Sequence, residues 1–64
     1  MTWQPERLKT LRERRHLTQD ALAQRVGVHR VTIARLETGA RQPGLEMLEG
    51  LAKALQVKVT DLLT

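Results

Sequence analysis

The residues best equipped for directed chemistry lie between positions 29 and 41. Arg30 and Arg35 each carry a planar guanidinium, which can bond to two adjacent acceptors at once. Thr32 adds a hydroxyl group, and Val31 adds a branched apolar surface. Side chains of these types bind anions and hydrogen-bonding groups. They therefore indicate that the segment binds a partner and does not catalyse a reaction.

The sequence lacks the residue types and motifs typical of catalytic sites. The chain has no cysteine and no serine, and no glycine-rich phosphate loop. The two histidines, His16 and His29, are too few for a metal site, although a carboxylate could in principle join them. Aromatic residues are 2% of the chain, which argues against an aromatic-lined ligand pocket or a base-stacking platform. We expect no enzymatic activity, no cofactor, no metal and no small-molecule ligand.

The charge is basic and unevenly distributed. Eleven Lys and Arg face seven Asp and Glu, for a net charge of +4. Residues 1–41 contain 9 basic and 4 acidic side chains, whereas residues 42–64 contain 2 and 3. The first part is therefore predicted to face a polyanion and the second to serve packing or self-association. A merely solubilising surface is the alternative.

The length of 64 residues allows one domain, which we assign to residues 1–64. A domain of this size buries only about 60% of its unfolded surface, so its stability must come from helix packing, to which dimerisation could add. No run of about 18 apolar residues suggests a membrane span, and the N-terminus lacks the apolar stretch of a signal peptide. The expected location is the cytoplasm, in association with the nucleoid.

The helix signals predict an all-α fold of five short helices. Pro5 suits a first helical position, Thr18 is a good N-cap, and Gly27 and Gly39 can end helices in the left-handed conformation. No alternating apolar pattern is long enough for a strand except the brief Gln56–Thr60 stretch, which is better interpreted as a connection. The helices are expected over about Pro5–Arg15, from Thr18 to Gly27, over Arg30–Thr38, Leu45–Leu55 and Val59–Leu63.

The informative unit is the pair of short helices that meet across Gly27 and Val28. The second of them keeps Ile33 and Leu36 for the core and turns its polar and basic side outward. Such a helix suits the major groove of B-DNA, which admits one helix. We place this helix-turn-helix core at residues 18–38.

The sequence here resembles the Cro/repressor helix-turn-helix family, also called Xre-like or lambda-repressor-like. The resemblance covers about residues 6–63 and implies a compact five-helix bundle of that type. It is carried by Leu17-Thr18-Gln19, Leu22-Ala23, Val26-Gly27-Val28, Thr32-Ile33, Arg35-Leu36-Glu37, Gly39, Pro43, Leu48, Ala52-Lys53-Ala54-Leu55 and Asp61-Leu62-Leu63.

The resemblance also implies roles by position. Base reading falls on Arg30, Val31, Thr32 and Arg35. Phosphate contact falls on Gln19, His29, Thr38, Arg41 and Gly44, and Gln19 would also brace the second helix of the pair. Arg12 and Glu37 match a structural salt bridge between helices.

Several of these positions have a plainer reading. Gln19 could be an exposed first-turn residue, and Arg41 a solvated loop cation. Val31 could pack on the preceding helix instead of touching a thymine methyl group. His29 stands where the family has Ser or Thr as helix N-cap, so a poor cap, a DNA contact and a solvated ring all stay open. Trp3, just before the first helix, is expected to pack on it as a hydrophobic staple.

The leading hypothesis is a sequence-specific regulator of transcription, acting as a repressor on duplex DNA. A twofold homodimer would place two recognition helices about 34–36 Å apart on a palindromic operator. Apolar residues beyond the needs of a core could form the dimer face: Leu45, Met47, Leu48, Leu55, Val57, Val59, Leu62 and Leu63. The alternatives are an antitoxin or adaptor whose main partner is another protein, and a nonspecific architectural protein.

Overall fold

A computed structural model describes all 64 residues, 1–64. It contains four α-helices and one short 3-10 helix: α1 (Pro5–Arg14), α2 (Gln19–Val26), α3 (Arg30–Thr38), α4 (Leu45–Leu55) and η1 (Val59–Leu62). The all-α class is as predicted; of the five short helices expected, four are α-helices and the fifth is a 3-10 helix.

The last element differs from the predicted helix over 59–63. It is a single 3-10 turn that stops at Leu62, with backbone bonds from Asp61 N to Lys58 O (2.9 Å) and from Leu63 N to Thr60 O (3.2 Å). The Asp61 carboxylate also accepts from the N–H of Lys58 at 2.9 Å. Four residues are too few to propagate an α-helical ladder, and the tighter turn forms instead. At the other end of the chain, α1 stops at Arg14, one residue earlier than expected.

The boundaries of α2 and α3 follow local chemistry. Thr18 Oγ1 accepts a hydrogen bond from Ala21 N at 3.0 Å and so satisfies one free donor of the first turn of α2. Gly27 (φ 84°) and Gly39 (φ 82°) end α2 and α3 in the left-handed region, which costs a residue with a Cβ atom about 1–2 kcal/mol. The two glycines therefore fix the lengths of both helices.

One apolar core joins all five elements. Its centre consists of seven side chains with essentially no exposed surface: Leu8, Leu22, Ile33, Leu36, Leu51, Leu55 and Leu62. Because α3 supplies two of them, Ile33 and Leu36, its orientation is fixed by packing, chiefly against α1 and α2.

The two ends of the chain pair with each other, which the sequence analysis does not predict. Trp3 and Leu63 form an isolated antiparallel bridge, flanked by reciprocal backbone hydrogen bonds between Thr2 and Thr64 at 3.1 and 3.0 Å. The Trp3 ring lies in the core, and its Nε1–H donates to the carbonyl of Leu36 at 3.3 Å. Trp3 was expected only to pack on the first helix. It also links the N-terminus to the C-terminal part of α3 through this hydrogen bond.

Two arginines of α1 also hold the C-terminal part of the chain. Arg7 donates to the carbonyl of Leu63 at 2.5 Å, and Arg15 donates to the Gln56 side chain at 3.3 Å. The sequence does not show that these two contacts form, because their acceptors lie more than 40 residues away along the chain.

None of the helices combines the length and the apolar character that crossing a lipid bilayer requires.

Candidate nucleic-acid interface

The turn between α2 and α3 sets the angle at which α3 leaves the body. Ala23 O accepts from both Gly27 N (2.8 Å) and Val28 N (2.9 Å), so the chain reverses within one residue of the end of α2. The left-handed conformation of Gly27 allows both N–H groups to donate hydrogen bonds to the same carbonyl oxygen. Only His29 then remains before α3 begins at Arg30.

The core and solvent sides of α3 are separate. Ile33 and Leu36 are fully buried. A rotation of about 100° per residue puts Val31 opposite this pair, and its side chain is 39% exposed despite being apolar. Val31 therefore lies on the solvent side of α3 and outside the apolar core.

The two arginines of α3 are unengaged. Arg30 and Arg35 are exposed, and neither makes a side-chain hydrogen bond or an ion pair within the protein. Thr32 is half-buried, on the flank of the helix that turns toward the core. The predicted base-reading set therefore divides into three exposed side chains and one at the margin.

His29 is the N-cap of α3, a role that sequence reasoning had regarded as poorly suited to histidine. Its Nδ1 accepts a hydrogen bond from Val31 N at 3.1 Å, and the ring is otherwise exposed. The imidazole nitrogen takes the place of the Ser or Thr oxygen expected at an N-cap. The signal was present in the sequence, since His29 is the residue directly before the helix.

A buried ion pair holds α3 against the rest of the protein. Arg12 Nε lies 2.6 Å from Glu37 Oε2, and Arg12 Nη2 lies 3.2 Å from Glu37 Oε1. The two side chains are only 10% and 4% exposed. The hydrogen bond to Glu37 raises the pKa of Arg12 above its usual value, against the opposing effect of burial, so the guanidinium stays charged.

Gln19 belongs to the same network. Its Nε2 donates to Glu37 Oε1 at 3.1 Å, while Arg12 Nη1 donates to the carbonyl of Leu17 at 2.7 Å. The network thus joins the end of α1, the start of α2 and the end of α3. Gln19 was expected to contact a phosphate and to brace the helix that follows, and its hydrogen bond to Glu37 links it to α3.

The remaining predicted phosphate contacts lie at the last residue of α3 and in the segment that follows it. Thr38 Oγ1 donates to Arg35 O (3.2 Å) and accepts from Ala40 N (3.4 Å), so this hydroxyl closes the helix end. Arg41 N also bonds to Arg35 O at 3.2 Å, which holds the loop beside α3 while the Arg41 side chain stays exposed and unpaired. Gly44 is the N-cap of α4 and offers no side chain to its first-turn N–H groups.

These residues form a basic and largely free surface along α3 and the loop that follows it. The exposed face of α3 is cationic, and the first turn of α4 beside it has N–H groups without a side-chain cap. Such a surface suits duplex DNA, which combines charged phosphates with base edges that carry hydrogen-bond donors and acceptors.

Comparison with known proteins agrees with this geometry. A family model described as "Helix-turn-helix" matches residues 8–62. An uncharacterized HTH-type transcriptional regulator of Archaeoglobus fulgidus is 39% identical over 56 residues, which are 88% of this chain and 79% of that protein.

Two solved structures share the fold closely. The P22 c2 repressor, solved in complex with a synthetic operator, superposes with a TM-score of 0.91 at 34% identity and covers 100% of this chain and 97% of its own. The restriction-modification controller protein C.AhdI of Aeromonas hydrophila gives a TM-score of 0.89 at 32% identity, over 92% of this chain and 89% of its own. The chain therefore belongs to the lambda-repressor-like, or Xre-like, helix-turn-helix family of transcriptional regulators.

Proposed function

We propose that this chain is a sequence-specific regulator of transcription, acting as a repressor, that inserts α3 into the major groove of duplex DNA. The observation that carries the proposal is the division of α3 between a buried side, with Ile33 and Leu36, and an exposed side with two unpaired arginines, Arg30 and Arg35. Residues 1–64 act as one domain, with the helix-turn-helix core at 18–38. The cytoplasmic, nucleoid-associated location expected from the sequence remains part of the proposal.

Base reading is assigned to the exposed side of α3 and its margin. Arg30 and Arg35 would each bond to the O6 and N7 atoms of a guanine, and Val31 would contact a thymine methyl group. Thr32, which is half-buried, would reach a base edge only where α3 lies deep in the groove. These contacts specify the sequence, whereas the phosphate contacts fix the position of the helix.

Phosphate contact is assigned to the residues that flank α3. Arg41 has the strongest support, because its charge is exposed, unpaired and held beside the end of α3. Gly44 would offer the free N–H groups of the first turn of α4. Gln19, His29 and Thr38 keep this role in the proposal, although each already makes a hydrogen bond inside the protein.

A homodimer on a palindromic operator completes the proposal, since one recognition helix contacts few base pairs. Leu48, Leu55 and Leu62 cannot be part of the dimer face, because they are buried in the core of one copy. The surface left for it comprises Leu45, 71% exposed, and the half-buried Met47, Val57, Val59 and Leu63. Sedimentation that shows only monomer, both free and on the operator, would refute this part.

Selection of bound sequences from random duplex DNA is the primary test. We expect a two-fold symmetric motif with half-sites about one helical turn apart. Binding without sequence preference would instead support an architectural protein.

Arginine substitutions on the selected duplex then test the role of α3. Arg30→Ala and Arg35→Ala should each cost about 1–3 kcal/mol of binding free energy and relax the preference at one base position. The matched control is Arg14→Ala, since Arg14 is also exposed and makes no hydrogen bond, but lies on α1. Equal losses for all three variants would show that net charge, and not the face of α3, governs binding.

A further inference from the structure

The exposed side of α3 carries an apolar side chain beside a cation. Val31 is 39% exposed, and Arg35 follows it four residues later on the same stripe of the helix. Residues at this spacing have Cβ atoms about 5–6 Å apart. Side chains on a helix tilt toward its N-terminus, which directs the long Arg35 side chain toward the turn that carries Val31. The two residues therefore form a unit, called here the Val31–Arg35 pair.

No carboxylate or free hydroxyl of α3 lies beside Val31 to accept a hydrogen bond from a base. Glu37, the carboxylate of this helix, is 4% exposed and engaged in the buried ion pair. The Thr38 hydroxyl lies two turns beyond Val31 and already donates to one backbone group and accepts from another. Thr32 is half-buried, on the flank toward the core. A cytosine that faces Val31 therefore finds no carboxylate for its amino group, which is the usual means of reading cytosine.

We propose that the Val31–Arg35 pair reads the 5-methyl group of a pyrimidine together with a guanine in the adjacent base pair, so that methylation of cytosine at this position strengthens DNA binding. The inference rests on the proposed function and adds to it a regulation by the methylation state of the DNA. The ligand class is duplex DNA with 5-methylcytosine or thymine at the position that faces Val31.

The chemistry of the pyrimidine edge explains why both bases fit. The methyl group of thymine and that of 5-methylcytosine are both attached to C5, whereas position 4 is an oxygen acceptor in thymine and an amino donor in cytosine. The valine side chain has no donor or acceptor, so it contacts the methyl group without distinguishing the groups at position 4. Unmethylated cytosine lacks the group that Val31 contacts.

The spacing within the pair explains why the guanine is adjacent. Bases follow one another at about 3.4 Å along a strand, so two side chains with Cβ atoms about 5–6 Å apart can reach neighbouring base pairs. With Arg35 bonded to O6 and N7 of a guanine, Val31 faces the pyrimidine of the next pair.

Duplexes that differ by one methyl group test the proposal. In the sequence selected with the wild-type protein, each thymine in turn is replaced by deoxyuridine and each cytosine by 5-methyldeoxycytidine, with the opposite strand unchanged. At one position of the half-site, loss of the thymine methyl group should weaken binding about fourfold, since a buried methyl group contributes about as much as a methylene group. With a C·G pair placed there, methylation of the cytosine should strengthen binding by a similar factor.

Protein variants show which side chain reads the methyl group. Val31→Ala should remove most of both methyl effects, because the shorter side chain leaves a gap opposite C5. Its melting temperature should be no lower than that of the wild type, since the position is exposed and alanine favours the helix. Arg30→Ala is the matched control, since it alters the neighbouring exposed residue and should weaken binding while keeping both methyl effects. Arg35→Ala should relax the guanine preference at the adjacent base pair.

Three results would overturn the inference while leaving the proposed function intact. These are a selected duplex in which no methyl change alters the affinity, methyl effects that persist in Val31→Ala, and an Arg35-dependent guanine that is not adjacent to the methyl-sensitive position. A wild-type protein that selects no duplex, or Arg30→Ala and Arg35→Ala variants that bind like the wild type, would contradict the proposed function itself.

Discussion

Replacing Arg12 by methionine is the most incisive test of how α3 is held. The Glu37 carboxylate, 4% exposed, accepts two hydrogen bonds from Arg12, at 2.6 and 3.2 Å, and one from Gln19 at 3.1 Å. Arg12→Met removes two of these three hydrogen bonds, together with the positive charge that balances the Glu37 carboxylate. It also removes the donor to the carbonyl of Leu17.

The expected cost is large for a protein of this size. Breaking one side of a buried ion pair costs about 3–5 kcal/mol, because the remaining charge is left without a partner. A chain of 64 residues has a total free energy of unfolding of roughly 3–10 kcal/mol. We therefore expect Arg12→Met to lower the melting temperature by more than about 12 °C, or to unfold at room temperature.

The assay is chemical and thermal unfolding, followed by circular dichroism, of a double-mutant cycle. Arg12→Met combined with Glu37→Leu should return most of the lost stability, since no charge is then left buried. Arg14→Met is the matched control, on the same helix but exposed, and should change stability by less than about 0.5 kcal/mol.

Either of two outcomes would refute the reasoning. One is an Arg12→Met variant within about 1 kcal/mol of the wild type. The other is a double variant whose loss equals the sum of the two single losses, because independent sites add and coupled ones do not.

Three further outcomes test the backbone and the chain ends by thermal unfolding. Gly27→Ala should cost about 1–2 kcal/mol, because Gly27 has φ of 84° while an added Cβ meets nothing within 4 Å, and an unchanged stability would show that the left-handed conformation costs alanine nothing there. Gly50→Ala should stabilise by about 0.5–1 kcal/mol, since the new Cβ lies at an ordinary 3.5 Å from its nearest neighbour inside α4, and a loss would reveal a packing need for glycine. Trp3→Phe should cost about 1 kcal/mol for the lost hydrogen bond to Leu36, and an unchanged melting temperature would show that the indole N–H contributes nothing.

Local signals sufficed for the helices that carry the proposed interface. The N-cap Thr18 and the terminators Gly27 and Gly39 act within a few residues of themselves, so their effect can be read from neighbouring positions. Periodicity likewise assigned Ile33 and Leu36 to the core side of α3, because both belong to one helical stripe.

Contacts between residues distant in the chain required the three-dimensional structure. No spacing rule brings Trp3 to Leu36, Arg7 to Leu63 or Arg15 to Gln56, because each of these bonds depends on how the helices pack. Val59–Leu62 became a 3-10 turn for a similar reason, since the antiparallel bridge between Leu63 and Trp3 takes the chain immediately after it.

The sequence by itself determined where three helices begin or end and which side of α3 is apolar, because those properties arise from bonds between near neighbours. Tertiary structure alone decided that Arg7 and Arg15 bond to the C-terminal part of the chain, and that three leucines of the expected dimer face lie in the core. Hydrogen bonds act over about 3 Å, so which polar group meets which is settled only after apolar packing has brought the helices together.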